Sequence, residues 1–388
     1  MIDRVQTNSV LGLLKSNPIV GIIGSRQSGK TTIAKKIFNS LNKKGIILDL
    51  ENPADYQKLQ SPLIFLKDFE NVCVIIDEIQ KIPELFEVLR YMVDQKRKPS
   101  RFLILGSANP KMIKGVNESL AGRISFVEVS PFNFTEISKK IKWKKHWFLG
   151  GYPNSILKYK IADSFQWLDD YIFSLLERDL PSYGLITSTQ TLSRFFSMLA
   201  YSQGSILNAS DYSRSLEISQ PVIMKYIDFL ENAFIVRRLY PFIINIRKRL
   251  IKSPKVYIRD SGILHRLLRI SNVQTLMGNP VLGSSWEGYV VEQIFQIKNK
   301  NIDMFFYRTK NGVECDIVFA KAYKPIACAE IKFTSTPKIQ KSLKIAMDDL
   351  SIRNGFIITP ESDDYPISKN IKTCNLETFL NKYLPDIN

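Results

Sequence analysis

The chain has 388 residues, and its 54 lysines and arginines against 37 aspartates and glutamates leave a formal charge of +17. An apolar share of 45% with 11% aromatics excludes a chiefly disordered chain, and apolar runs as short as Val72–Ile76 and Phe102–Leu105 exclude a membrane helix, which needs about 20 residues. Cys73, Cys315, Cys328 and Cys374 form no CxxC pair and only His146 and His265 are present, which argues against disulfides and zinc; the acid-led start Met1-Ile2-Asp3-Arg4 reads as a cytoplasmic protein without a leader.

Ile19–Gly24 predicts a short buried parallel strand. It runs into Gly24-Ser25-Arg26-Gln27-Ser28-Gly29-Lys30-Thr31, which fits G-x-x-x-x-G-K-[ST] with a helix, Thr32–Leu41, behind it. Glycines let such a loop turn its N–H groups toward phosphate oxygens, and the helix N-terminus adds partial positive charge. Gly24 to Thr32 is therefore the predicted ATP cradle, with Lys30 reaching the β- and γ-phosphates and Thr31 ligating Mg²⁺. Gly45–Leu50 predicts a second strand. Val72–Ile76 predicts a third and ends in Asp77-Glu78, the Walker B pattern. Asp77 would hold Mg²⁺ through water, and Glu78 would act as general base on the attacking water. After the strand Arg101–Leu105, Ser107 and Asn109 are candidate γ-phosphate sensors, or simple helix caps. One strand between those of the P-loop and Walker B motifs is the arrangement of ATPases with an additional catalytic strand. Arg123, just before the strand Ser125–Val129, is a candidate arginine finger for a neighbour in a homo-oligomer, or an ordinary ion-paired arginine. Arg26 and Gln80 are further phosphate-side candidates.

In Ser138–Lys145, basic residues surround Trp143, suiting either nucleic-acid contact or a solvated loop. Ser164–Leu175 carries Phe165, Leu168, Tyr171, Ile172 and Leu175 at helical spacing and predicts a helical connector. The helices Leu192–Tyr201, one starting at Ala209, and Val222–Asn232, then strands at Phe234–Val236 and Leu239–Tyr240, follow the order of a winged helix-turn-helix. The segment from Ala233 to Arg259 holds Arg237, Arg238, Arg247, Lys248, Arg249, Lys252, Lys255 and Arg259 and no acid. The basic segment 237–259 is thus the predicted DNA contact, through phosphates. The long helix offers only Gln220, Lys225 and Asn232 for base reading. The alternative is a winged helix that bridges domains or binds a protein partner.

Gly312–Phe319 and Pro325–Phe333 predict strands between the helices 285–298 and 338–350, with further strands at 304–309 and 355–359. Alternation puts Glu330 and Lys332 on one face, and Asp316 can oppose them from the neighbouring strand. This Asp…Glu-x-Lys pattern resembles the PD-(D/E)XK nuclease motif. Asp316 and Glu330 would hold Mg²⁺ and Lys332 would orient the water, with Glu287 or Glu292 as a further ligand. Residues 276–388 carry 14 basic and 13 acidic side chains, against 24 and 14 in residues 1–150. A nuclease there would rely on the basic body for substrate; the alternatives are an idle site or a docking domain.

Gly24–Thr31, Ile76-Asp77-Glu78-Ile79-Gln80, Ser119–Arg123, Pro131–Ile137, Gly150-Gly151-Tyr152-Pro153, Leu176–Pro181, Trp286-Glu287-Gly288 and Glu330-Ile331-Lys332 together resemble prokaryotic AAA-type ATPases with a C-terminal restriction-endonuclease-like domain. The expected fold class is α/β: a P-loop ATPase sheet with helices on both faces (1–137), a helical connector (138–187), a winged helix-turn-helix (188–262) and a small nuclease-like α/β domain (263–388). The expected function is Mg²⁺-dependent ATP hydrolysis coupled to DNA binding; the alternative is a regulatory ATPase switch acting on protein partners, its nuclease-like domain inactive.

Overall fold

The computed structural model describes residues 2–41, 45–107, 119–182, 187–243 and 252–387. Asn109 and the basic residues Arg247, Lys248 and Arg249 lie outside them. Among the described residues no helix is long and apolar enough to cross a membrane.

The first body is a five-stranded parallel sheet, β1 (Ile19–Gly24), β2 (Gly45–Asp49), β3 (Cys73–Asp77), β4 (Phe102–Ser107) and β5 (Ile124–Glu128), in the order β2-β3-β4-β1-β5. The strand between those of the P-loop and Asp77 is therefore β4, while β2 lies at the edge. Strand alternation divides the apolar residues between two faces. Val20, Ile22, Cys73, Ile75, Leu103 and Leu105 pack with Val10 and Leu14 of α1 (Val5–Leu14) and Ile33 and Ile37 of α2 (Lys30–Ser40). Ile19, Val74, Ile76, Phe102 and Ile104 pack with Leu85, Phe86, Leu89 and Val93 of α3 (Leu85–Gln95). This gives three layers, helix, sheet and helix.

A helical body follows. α4 (Ile161–Ser174), α5 (Thr189–Tyr201), α6 (Ala209–Leu216) and α7 (Gln220–Asn232) enclose Leu168, Phe195, Phe196, Ile223 and Ile227. Strand β6 is Val236–Leu239, and its antiparallel partner β7 is Lys255–Ile258. The expectation of a second strand at Leu239–Tyr240 fails. Tyr240–Phe242 leaves the ribbon and pairs beside Phe306 instead, with Phe242 N donating to Phe306 O at 2.7 Å and Phe306 N to Tyr240 O at 3.0 Å. The ribbon is thus joined to the C-terminal sheet rather than projecting as a free wing.

That last sheet has six strands, β8 (Ile302–Arg308), β9 (Glu314–Lys321), β10 (Lys324–Ile331), β11 (Gly355–Thr359), β12 (Tyr365–Ser368) and β13 (Ile371–Asn375), ordered β12-β13-β11-β10-β9-β8. α8 (Leu282–Ile297) and α9 (Lys341–Asp349) each supply buried residues to its core. The short helix Trp143–Leu149 is embedded in the same core: Trp143, Trp147, Trp286 and Phe333 stack within 5.2–6.5 Å of one another.

Candidate functional site

The P-loop takes its shape from two glycines. Gly24 has φ 154°, and a Cβ there would meet the Val129 carbonyl oxygen at 2.1 Å; Gly29 has φ 98°. Lys30 folds back into the loop, donating to the carbonyls of Gly24 (3.2 Å) and Ser25 (2.8 Å). Burial, opposed by Glu78 and Asp77, holds its ammonium down at about 8. Thr31 Oγ1 donates to Asp77 Oδ2 at 2.6 Å, so the hydroxyl and carboxylate expected at one Mg²⁺ are brought together. Glu78 follows in a left-handed conformation (φ 54°), its carboxylate bonded to Gln80. Burial raises both Asp77 and Glu78. The backbone of Ser107 ends β4 directly beside Gly24. Residues at these positions fit a nucleotide with Mg²⁺: Thr31 and Asp77 would hold the ion, which supplies charge neutralisation to the phosphates.

Arg123 is elsewhere. It forms a two-point ion pair with Asp94, Nε to Oδ1 at 2.6 Å and Nη2 to Oδ2 at 2.8 Å. It precedes Ile124, which pairs with Ile19 at the start of β1. At ~3.3 Å per residue, six positions place it about 20 Å from Gly24 along the strands.

The composition of the P-loop gives no hint of what grips it from outside. Arg26 is ion-paired with Asp179, from the Leu176–Pro181 motif. Gln27 Oε1 accepts from Asn154 Nδ2 at 3.4 Å, and Tyr152 lies against Ser25. Arg4 donates to the Ser28 carbonyl at 2.9 Å and to Glu136 at 3.1 Å, and bonds the Ser130 carbonyl. Both middle motifs, Gly150–Pro153 and Leu176–Pro181, thus abut the nucleotide loop.

The basic segment does not form the expected phosphate track in its described part. Arg237, Lys255 and Arg259 are only 8%, 3% and 8% exposed. Arg237 Nε bonds Glu292 Oε2 at 2.7 Å, and Arg259 Nη2 bonds Glu292 Oε1 at 2.7 Å and also Glu128 at the end of β5. Arg238 pairs with Asp228 at 2.8 Å and with Glu231. Four of the eight cations are spent inside the protein, because each meets a carboxylate from another element. Glu292 consequently belongs to this network and not to the Asp316 cluster. It lies five residues from Glu287, about 140° around the helix.

The C-terminal acids do converge. The register that pairs Ala329 with Ile317 sets Glu330 beside Asp316, and Asp316 Oδ2 accepts from Ile331 N at 2.8 Å. Lys332 Nζ lies 2.8 Å from Glu330 Oε1. Three residues of this cluster, Glu314, Lys255 and Tyr257, were missed as site residues in the sequence. Lys255 enters from the ribbon, with Nζ 2.9 Å from Glu287, 2.6 Å from Glu314 and 3.8 Å from Asp316. Tyr257, two residues on and on the same strand face, donates to Glu287 at 2.5 Å. The alternation Glu314-x-Asp316 and Lys255-x-Tyr257 was the available signal, hidden by reading Lys255 as part of a solvated basic run. Burial, with Glu287 and Glu330, pushes Asp316 well up. Burial also disfavours the Lys255 ammonium, but its anionic neighbours outweigh that and raise it.

Comparison with known proteins gives three family matches: an AAA domain at residues 16–138, and domains of unknown function at 140–274 (DUF8612) and 282–379 (DUF4143). The uncharacterized proteins Rv2008c of Mycobacterium tuberculosis and Mb2031c of Mycobacterium bovis are each 39% identical over 354 residues, 91% of this chain and 79% of theirs. The uncharacterized protein MJ1544 of Methanocaldococcus jannaschii is 23% identical over 372 residues, 87% of this chain and 80% of its own. Among solved structures, the Walker-type ATPase PABY2304 of Pyrococcus abyssi aligns with TM-score 0.46 and 15% identity, over 69% of this chain and 96% of its own.

Proposed function

The chain belongs to the family of the mycobacterial protein Rv2008c, and from that premise we propose that it is an ATP-driven switch whose nucleotide state is passed from the P-loop to the helical and C-terminal bodies. It is an ATP-hydrolysing P-loop NTPase with an AAA domain. The observation that carries the switch is the ion pair between Arg26, inside the P-loop, and Asp179 of the middle body. A γ-phosphate arriving in the loop competes with Asp179 for the Arg26 guanidinium, since a phosphate and a carboxylate are alternative partners for one planar fork. Hydrolysis, with Glu78 as base and Lys30 on the phosphates, returns Arg26 to Asp179. The helices of residues 188–262 and their ribbon act as a winged-helix bridge, and the nuclease-like acids, paired with Lys255 and Lys332, stand idle.

The test is hydrogen exchange in E78Q with and without ATP. Amides of residues 175–182 should exchange at least several-fold faster with ATP bound, and D179A should exchange at the fast rate in both states. Equal exchange in E78Q with and without ATP would remove the switch.

One observation favours a second reading, contact with nucleic acid. Residues 137–162 hold seven lysines and no acid. Lys139, Lys140, Lys142, Lys144, Lys158 and Lys160 are exposed, and Tyr159 beside them is 98% exposed. Support for a phosphate surface therefore lies on this stretch rather than on the described part of segment 237–259.

A further inference from the structure

The ribbon strand β7 does something no surface wing would. It carries Lys255 into the middle of the C-terminal acids, where the residue is 3% exposed and contacts three carboxylates from two elements: Glu287 on α8, and Glu314 and Asp316 on β9. The far side of the cluster is left incomplete. Glu330 is 5% exposed; its Oε1 is bonded to Lys332, while its Oε2 is buried and has no hydrogen-bond partner. A buried carboxylate oxygen without a donor is costly, and it faces a cluster with more negative than positive groups. Glu287, Glu314, Asp316 and Glu330 are met there by Lys255 and Lys332, with Arg308 reaching Glu314 at 3.1 Å from the outer side. Oxygen-rich, excess-negative clusters of this kind are what hard divalent cations bind. Among the described residues, however, no three acids stand together as ligands for a metal ion. Glu287, Glu314 and Asp316 are arranged around the Lys255 ammonium instead, and Glu330 beside Asp316 is held by Lys332.

We propose that Lys255 is an internal cation that seals this cluster: while the β6–β7 ribbon is seated, its ammonium holds the position a divalent ion would need, and unseating it opens a divalent-cation site made by Glu287, Glu314, Asp316 and Glu330. The inference deepens the reading of the C-terminal acids as idle and gives the reason for their idleness. It also says what would relieve it. Four residues beyond Lys255, Arg259 grips Glu128 at the end of the ATPase strand β5 and Glu292 on α8. A shift of the ATPase sheet against α8 therefore pulls on the strand that carries the seal.

The experiment is Mn²⁺ binding to the nucleotide-free full-length chain, with free Mn²⁺ read by electron paramagnetic resonance in wild type, D316N, K255M and K255M/D316N. Wild type and D316N should bind alike. K255M should gain one site, at least about tenfold tighter than any remaining sites, and K255M/D316N should lose it. A D316N-sensitive site already present in wild type, or no gain in K255M, would overturn the proposal. Should K255M fail to fold, wild type still decides: a rise in melting temperature with Mn²⁺ that D316N abolishes contradicts a sealed site, and the absence of such a rise supports it. ATP hydrolysis is measured on the same preparations. Failure of wild type to hydrolyse ATP would count against the ATPase reading and leave the Mn²⁺ result standing by itself.

Discussion

Lys30, held among the carbonyls of its own loop with its ammonium down at about 8, makes nucleotide binding a proton-linked event. At pH 9 most of the nucleotide-free protein carries a neutral Lys30, and a polyphosphate favours the ammonium. Binding should therefore take up close to one proton at pH 9 and almost none through this residue at pH 7. Calorimetry of a non-hydrolysable ATP analogue in two buffers of different ionisation enthalpy measures the uptake, which K30A should abolish. Glu78 answers a separate question. Its buried carboxylate is one residue from Asp77 and is oriented by Gln80. E78Q should keep ATP binding and lose roughly 100-fold or more of kcat, within the usual range for general-base removal; wild-type turnover in E78Q would move the base elsewhere. The P-loop, Asp77 and Glu78 were legible in the sequence because each motif is contiguous and its chemistry follows from local spacing. Arg4, Asp179 and Lys255 were not, because each reaches its partner across a gap of 24 residues or more of chain, and no spacing rule spans that distance.

Strand β6, the residue that follows β7 and helix α8 meet in a buried network in which Arg237 and Arg259 share Glu292, and Arg259 also holds Glu128. Burial works against the Glu292 carboxylate, but the two guanidinium groups override it and bring it down to about 2 from an ordinary 4.5. A depressed carboxylate contributes stability that is present above 4.5 and is lost as the pH falls from there toward 2. Urea midpoints should therefore drop across that window in wild type. E292Q should remove much of that slope and cost roughly 3–5 kcal/mol at pH 7, since it leaves two buried arginines short of a counter-charge; a loss below about 1 kcal/mol would show that Glu128 alone satisfies them. The parallel strands and the Asp316/Glu330 hairpin were readable from apolar runs and alternation. The ribbon was read wrongly because β7 pairs with β6 across an intervening segment, leaving Leu239–Tyr240 to look like its partner. Helix α1 was overlooked because Gln6 and Thr7 occupy two of its four buried positions, so it shows no clean apolar stripe.

The chain carries a charge of +17, and its basic segment 237–259 reads in the sequence as a DNA contact; the fold changes where that charge can act. Arg237, Lys255 and Arg259 join three bodies from within and offer nothing to a ligand. A dense exposed share of the excess, unbroken by acids, lies instead on Lys139–Lys145 and Lys158–Lys160. These two stretches lie side by side, with Lys145 Nζ donating to the Lys158 carbonyl at 3.4 Å. The second stretch follows the helix whose Asn154 touches Gln27 of the P-loop, so a strand bound there would lie next to the nucleotide. Lysines around a fully exposed tyrosine suit a single strand, with phosphates on the ammonium groups and a base stacked on the ring. Fluorescence anisotropy with a labelled oligonucleotide tests this. Wild type should bind with a steep salt dependence. K158A/K160A should weaken binding at low salt and flatten the log–log salt slope by about 1.4, two contacts at ~0.7 each. Y159A should weaken binding with the slope unchanged. K252A, on the exposed approach to the ribbon, should bind like wild type. If K252A weakens binding while K158A/K160A does not, the ribbon side is the phosphate surface after all; if wild type shows no salt-dependent binding, the lysines serve an acidic protein surface, and the switch acts on protein partners alone.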